Sequence, residues 1–105
     1  MPTYIFTYHG EMTAPPTDPA EVEASMGAWG AWYEAMGDNV IDPGAPLGES
    51  SSVGPDGSTG AAPVSITGYT IVTADDMAGA QAMAQGCPVL RNNHTVQINQ
   101  AIDMS

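Results

Sequence analysis

The stretch TYIFTYH, residues 3–9, alternates two sets of side chains: Tyr4, Phe6 and Tyr8 on one parity, and Thr3, Ile5, Thr7 and His9 on the other. Successive side chains of a strand point to opposite faces, so an aromatic and β-branched run without breakers reads as a strand with one bulky face. The bulky set is assigned to a face covered by helices, which turns His9 toward the open face. The run is expected to lie inside a sheet.

The segments that follow supply the rest of the order. TDPAEVEASMGAWGAWYEAMG, residues 17–37, carries Asp18 as N-cap, Pro19 at the first helical position and Gly37 as terminator. Val22, Met26, Trp29, Tyr33 and Met36 recur at helical spacing and are expected to face the sheet, with Trp32 about 80° off that stripe, at a pocket rim. Gly27 and Gly30 suggest a backbone approaching the helix closely. A second strand begins near Asn39, and Pro43 and Pro46 each remove a backbone donor, so it must be an edge strand, bent or bulged. The small, polar stretch ESSSVGPDGSTGAAP, residues 49–63, reads as a long hairpin connection with its tip near Pro55 to Gly57. VSITGYTIVTA, residues 64–74, is a third strand. Thr73 or Asp75 is expected to cap a second helix that turns Met77, Ala80, Met83 and Ala84 inward and stops at Gly86. TVQINQAI, residues 95–102, alternates Val96, Ile98 and Ile102 against polar residues, a half-buried fourth strand.

The order is β-α-β-β-α-β, the ferredoxin-like α+β arrangement: an antiparallel sheet with both helices on one face. Its other face is left bare, and a second copy of the chain is the economical cover, giving a homodimer.

Composition narrows the partners. The 105 residues are expected to form a single domain, 1–105, able to bury roughly two-thirds of its unfolded surface. Twelve acids face one base, Arg91, for a net charge of −11, which repels phosphate backbones and anionic lipid and argues against nucleic-acid or membrane partners. No apolar run approaches the ~20 residues of a spanning helix, and the expected location is cytoplasmic. A lone cysteine, Cys87, permits no internal disulfide. Metal-ligand spacings, a P-loop and a GxGxxG are absent, so no cofactor or metal is expected.

The short pieces Tyr8-His9-Gly10, Trp29 and Trp32, Gly44 to Leu47, Gly68-Tyr69 and Gly86 to Leu90, in that order across the chain, resemble the YCII-related family, also called the DGPF-domain family. The resemblance implies a dimeric α+β barrel in which two sheets face each other around a cleft. Some relatives pair a histidine on the first helix with an aspartate directly before a proline after the second. Here the positions around Ala28 and Trp29 hold no histidine, and Cys87 precedes Pro88, so that dyad does not carry over. The DGPF stretch is replaced by GPDGSTGAAP. His9, Asp42 and Tyr69 do carry over by position.

These residues frame three readings. The first is a dimeric domain that binds a small neutral or aromatic molecule in the inter-sheet cleft, with Trp32 and Tyr69 as contacts. The second is an enzyme of isomerase or lyase type acting on a small cyclic substrate, with His9 as general base and Asp42 orienting its imidazole. The third is a structural or interaction domain with a filled barrel. His9 reads first as a lining residue and second as a base. Cys87 has no basic neighbour in sequence and no helix N-terminus to lower its pKa, so an inert thiol is expected.

Overall fold

A computed structural model describes residues 1–10 and 17–102; Glu11 and Asp103, two of the twelve acids, lie outside the described residues. In chain order, strand β1 (Thr3–His9) is followed by helix α1 (Pro19–Met36), a 3₁₀ turn (Gly37–Asn39) and strand β2 (Val40–Asp42). Two short strands, β3 (Ser52–Val53) and β4 (Thr59–Gly60), lead to β5 (Gly68–Thr73), helix α2 (Met77–Ala84), a 3₁₀ turn (Pro88–Asn92) and β6 (Thr95–Ala101). The protein is a mixed α+β structure. Four strands form one sheet in the order β2-β5-β1-β6 with every neighbour antiparallel, and β3 and β4 pair separately.

Strand β1 lies between β5 and β6, and its parity divides the molecule. Tyr4, Phe6 and Tyr8 are buried, with Phe6 wholly inaccessible, whereas Thr3, Ile5, Thr7 and His9 are only half-buried. Cross-strand partners extend both faces. Thr70 and Val72 of β5 and the half-buried Val96 and Ile98 of β6 join the aromatic side, while Tyr69, Ile71, Gln97 and Asn99 share the open side. Both helices cover the aromatic side: Trp32 and Met36 of α1 and Ala80 and Ala84 of α2 complete one core. Fully burying a side chain the size of Phe6 contributes about 1.5–3 kcal/mol, so this face is where the fold gains its stability.

The termini of α1 follow the sequence: the Asp18 carboxylate accepts from the Ala20 N–H at 3.0 Å, and Gly37 turns the chain at φ 57°. The phase of the helix does not. Trp32 is buried at 6 % exposure, stacked on Phe6 at 6.3 Å, and its indole N–H donates to the Met83 carbonyl of α2 at 2.9 Å. Anchoring both the sheet and α2 through Trp32 puts Met26, six residues and about 120° round the helix, into solvent at 70 % exposure. Trp29 and Tyr33 remain on the inner flank, half-buried. Nothing packs within 4 Å of a side chain built at Gly27 or Gly30, so no close approach explains either glycine.

Smaller corrections concern α2 and the last strand. Asp76, rather than Thr73 or Asp75, caps α2, accepting from the Gly79 N–H at 2.8 Å. Met77, the first residue of the helix, is exposed, and the inward side of α2 is carried by Ala80 and Ala84. Ile102 lies past the end of β6 and is exposed.

Strand β2 is an edge strand of three residues with a bulge between Val40 and Asp42, the form its prolines require. The expected connection contains a genuine hairpin, closed at Gly54 to Ser58 by backbone bonds and by the Asp56 carboxylate accepting from the Ser58 N–H at 2.9 Å. Beyond β2, Gly44 lies so close to β5 that an added Cβ would sit 1.6 Å from the Tyr69 carbonyl oxygen, and its φ is +80°.

Two glycine-to-alanine changes separate these constraints. Gly57→Ala, at φ +85° with open space around it, is expected to cost about 1 kcal/mol from backbone strain alone. Gly44→Ala adds a backbone collision and is expected to cost about 3 kcal/mol or more. Urea denaturation midpoints of the two variants measure the difference.

Candidate functional site

A cavity of about 330 Å³ opens on the helix-covered side of the sheet, at the end where β1 finishes and β5 begins. The segment after β2 makes its outer wall. Pro46 bridges Gly68, the Leu47 N–H donates to the Thr67 carbonyl at 3.0 Å, and the Thr67 N–H donates to the Tyr8 carbonyl at 2.7 Å. The chain from Pro43 to Leu47 is thereby held along the first residues of β5. Tyr8, Trp29, Tyr33, Pro43, Pro46 and Val89 supply most of the apolar lining. Three of these are aromatic and touch in sequence: Tyr8 to Trp29 at 5.7 Å and Trp29 to Tyr33 at 5.9 Å between ring centres.

A hydroxyl network underlies the rings. The Thr70 hydroxyl donates to the Pro43 carbonyl at 3.1 Å, and the Tyr33 hydroxyl donates to the same oxygen at 3.1 Å. Thr70 has one proton and gives it to Pro43, so the 2.5 Å contact between the Tyr8 and Thr70 hydroxyls is a bond that Tyr8 donates. Burial raises the Tyr8 pKa far above the ordinary phenol value, against the smaller lowering effect of the Thr70 bond. Burial likewise raises that of Tyr33. Cys87, buried beside Tyr8, has its thiol pKa pushed up by desolvation, so at neutral pH it is a thiol and a poor nucleophile.

The residues singled out from sequence fall in different places. His9 is half-buried on the open face, where its Nε2 and the Thr7 hydroxyl lie 2.8 Å apart. Asp42 is engaged elsewhere: one oxygen accepts from the Gly44 N–H at 2.8 Å, and the other accepts from the Tyr69 hydroxyl at 3.3 Å. Strand β5 separates β1 from β2, and the registers place His9 beyond the Tyr8–Gly68 pair and Asp42 opposite Ile71. Their α-carbons are therefore about 16 Å apart, beyond the reach of an imidazole–carboxylate bond. The chain does not assemble the base and orienter within one subunit. Asp42 and Tyr69 are brought together.

The two tryptophans exchange the places expected of them: Trp32 is core, and Trp29 lines the cavity. Tyr69 also borders the cavity, next to Gly44. In the sequence, Tyr8 and Tyr33 stand only as packing residues. The available signal was Tyr8 ending the bulky parity of β1 opposite a Pro-rich strand exit, where a wall of fixed backbone cannot collapse onto the rings. Among the described residues no group of His, Cys, Asp and Glu is placed to hold a metal ion, and no helix is long and apolar enough to cross a membrane. No protein-family model, curated protein or solved structure matches this chain.

The raised phenol pKa values set a pH dependence. Unfolded tyrosines ionise near pH 10, whereas folded Tyr8 and Tyr33 keep their protons above it. Their contribution is therefore complete below about pH 10 and is lost as pH rises through and beyond that value, because the unfolded state releases protons first. Unfolding free energy measured from about pH 9 to about pH 11 should fall, and Tyr8→Phe should flatten the fall.

Proposed function

We propose that this chain is a small-molecule-binding domain whose ligand occupies the aromatic cavity between α1, the Pro43–Leu47 segment and the start of β5. The observation that carries the reading is the cavity itself: it is already open, walled by Tyr8, Trp29 and Tyr33, and floored by hydroxyls whose hydrogen bonds are satisfied. Its volume lies at the lower end of the range for small-molecule sites, which suits a ligand of one or two rings. Binding is favoured over catalysis because, among the described residues, no activated nucleophile or paired general base converges on it. Tyr8, Tyr33 and Cys87 hold their protons, and His9 and Asp42 stand apart. This reading puts the ligand on the helix-covered side of the sheet instead of in the expected inter-sheet cleft.

The proposal extends to the assembly. Element order and the strand order β2-β5-β1-β6 support a ferredoxin-like domain, consistent with the YCII-related resemblance. The open face of β1, β5 and β6 carries Thr3, Ile5, Thr7, Ile71, Gln97 and Asn99 among its residues and no carboxylate, in a chain of net charge −11. Pairing through this face brings two copies together where like-charge repulsion is least, which supports a homodimer.

The two indole N–H groups report on binding separately. Titrating ¹⁵N-labelled protein with indole should shift the Trp29 side-chain signal saturably, with a dissociation constant on the order of 1 mM or tighter. The Trp32 signal, fixed on the Met83 carbonyl, should move little. No saturable shift with indole or other one- and two-ring compounds would remove the reading.

A further inference from the structure

We infer that the aromatic cavity selects an organic cation, a small ammonium compound, over a neutral molecule of the same shape; this rests on the reading of the cavity as a ligand site. Four lining residues carry hydroxyls, and each is committed as a donor inside the protein: Tyr8 to Thr70, Tyr33 to Pro43 and Thr67 to the Tyr8 carbonyl at 3.2 Å, while the Tyr69 side chain, on the open side of β5, donates to Asp42. Their oxygens retain lone pairs. Among the described residues the Trp29 indole N–H is the one lining side-chain donor with no partner. The side chains therefore meet a ligand mainly with ring faces and acceptors.

Charge points the same way. No lysine or arginine lines the cavity, and the chain's single arginine, Arg91, is exposed on the 3₁₀ turn. The Asp42 carboxylate stands directly behind the wall, bonded to two residues that line it, Gly44 and Tyr69. With a net charge of −11, an anion gains nothing here and a cation is drawn in. The rings of Trp29, Tyr8 and Tyr33 line the cavity, and an ammonium group seated over a ring face gains a cation–π attraction that a neutral isostere lacks. A quaternary ammonium also needs no acceptor geometry, which suits a wall whose oxygens are already positioned for other bonds.

The test compares choline with neohexanol, the alcohol in which carbon replaces the nitrogen, by calorimetry and by the Trp29 indole signal at fixed salt. Choline should bind about tenfold more tightly, an advantage that shrinks in Asp42→Asn and vanishes in Trp29→Leu. Retention of the Trp32 indole signal checks that each variant is folded. Equal or tighter binding of neohexanol overturns the inference. If indole binds and neither isostere does, selection for a cation is wrong while the cavity remains a ligand site. If none of the three binds, both readings fall.

Discussion

The carbonyl oxygen of Pro43 accepts two hydrogen bonds, from Thr70 of β5 and from Tyr33 of α1, and the arrangement of the cavity depends on it. Thr70 is wholly inaccessible on the aromatic side of the sheet, beside Phe6 and Val72. A hydroxyl buried there without partners would cost about 1–3 kcal/mol. Donating to Pro43 and accepting from Tyr8 removes that penalty and joins β1, β5, the exit of β2 and α1 through three side chains. Proline suits the position, since it offers a carbonyl and no N–H that would itself need a partner. Because Gly44 then passes directly over the Tyr69 carbonyl, the segment is fixed in two places and cannot close over the rings. The cavity remains open for that reason.

How much of this could be read in advance differs by element. Strand β1 was legible because alternation of aromatic and small residues has one structural meaning, and the ends of α1 were legible because Asp18, Pro19 and Gly37 act locally. The edge position of β2 followed from prolines that cannot donate. The phase of α1 was not legible. Val22, Met26, Ala28, Trp29, Trp32, Tyr33 and Met36 spread apolar surface round the helix, so periodicity permits more than one inward stripe, and the Trp32 bond to Met83 of a distant helix decides between them. That one rotation also exchanged the roles expected of Trp29 and Trp32. The His9–Asp42 pair failed for a related reason: a sequence shows that both lie near strand ends, but not which ends meet, and the register of β5 with each neighbour places them apart.

The distribution of charge completes the picture. Glu21, Glu23 and Glu34 lie on the outer side of α1, and Asp75 and Asp76 stand at the start of α2, so the helical layer carries acids outward while its inner side remains aromatic. The open sheet face carries no carboxylate on β1, β5 or β6, and the Asp42 carboxylate of β2 stands at its edge, bonded to the Tyr69 hydroxyl. A strongly acidic chain thus keeps most of its carboxylates off two surfaces, a cavity lined by aromatic rings and a sheet face that carries threonine and amide side chains. The first is the surface proposed for a small molecule and the second the surface proposed for a copy of the same chain.

Whether Tyr8 and Tyr33 act as one unit through Thr70 and Pro43 is measured by a double-mutant cycle of Tyr8→Phe and Tyr33→Phe on unfolding free energy. The two hydroxyls share no hydrogen bond with each other and are joined through the network. Removing both should differ from the sum of the single losses by about 1 kcal/mol. Losses that add to within about 0.3 kcal/mol would contradict this coupling and leave two independent phenols beside a cavity.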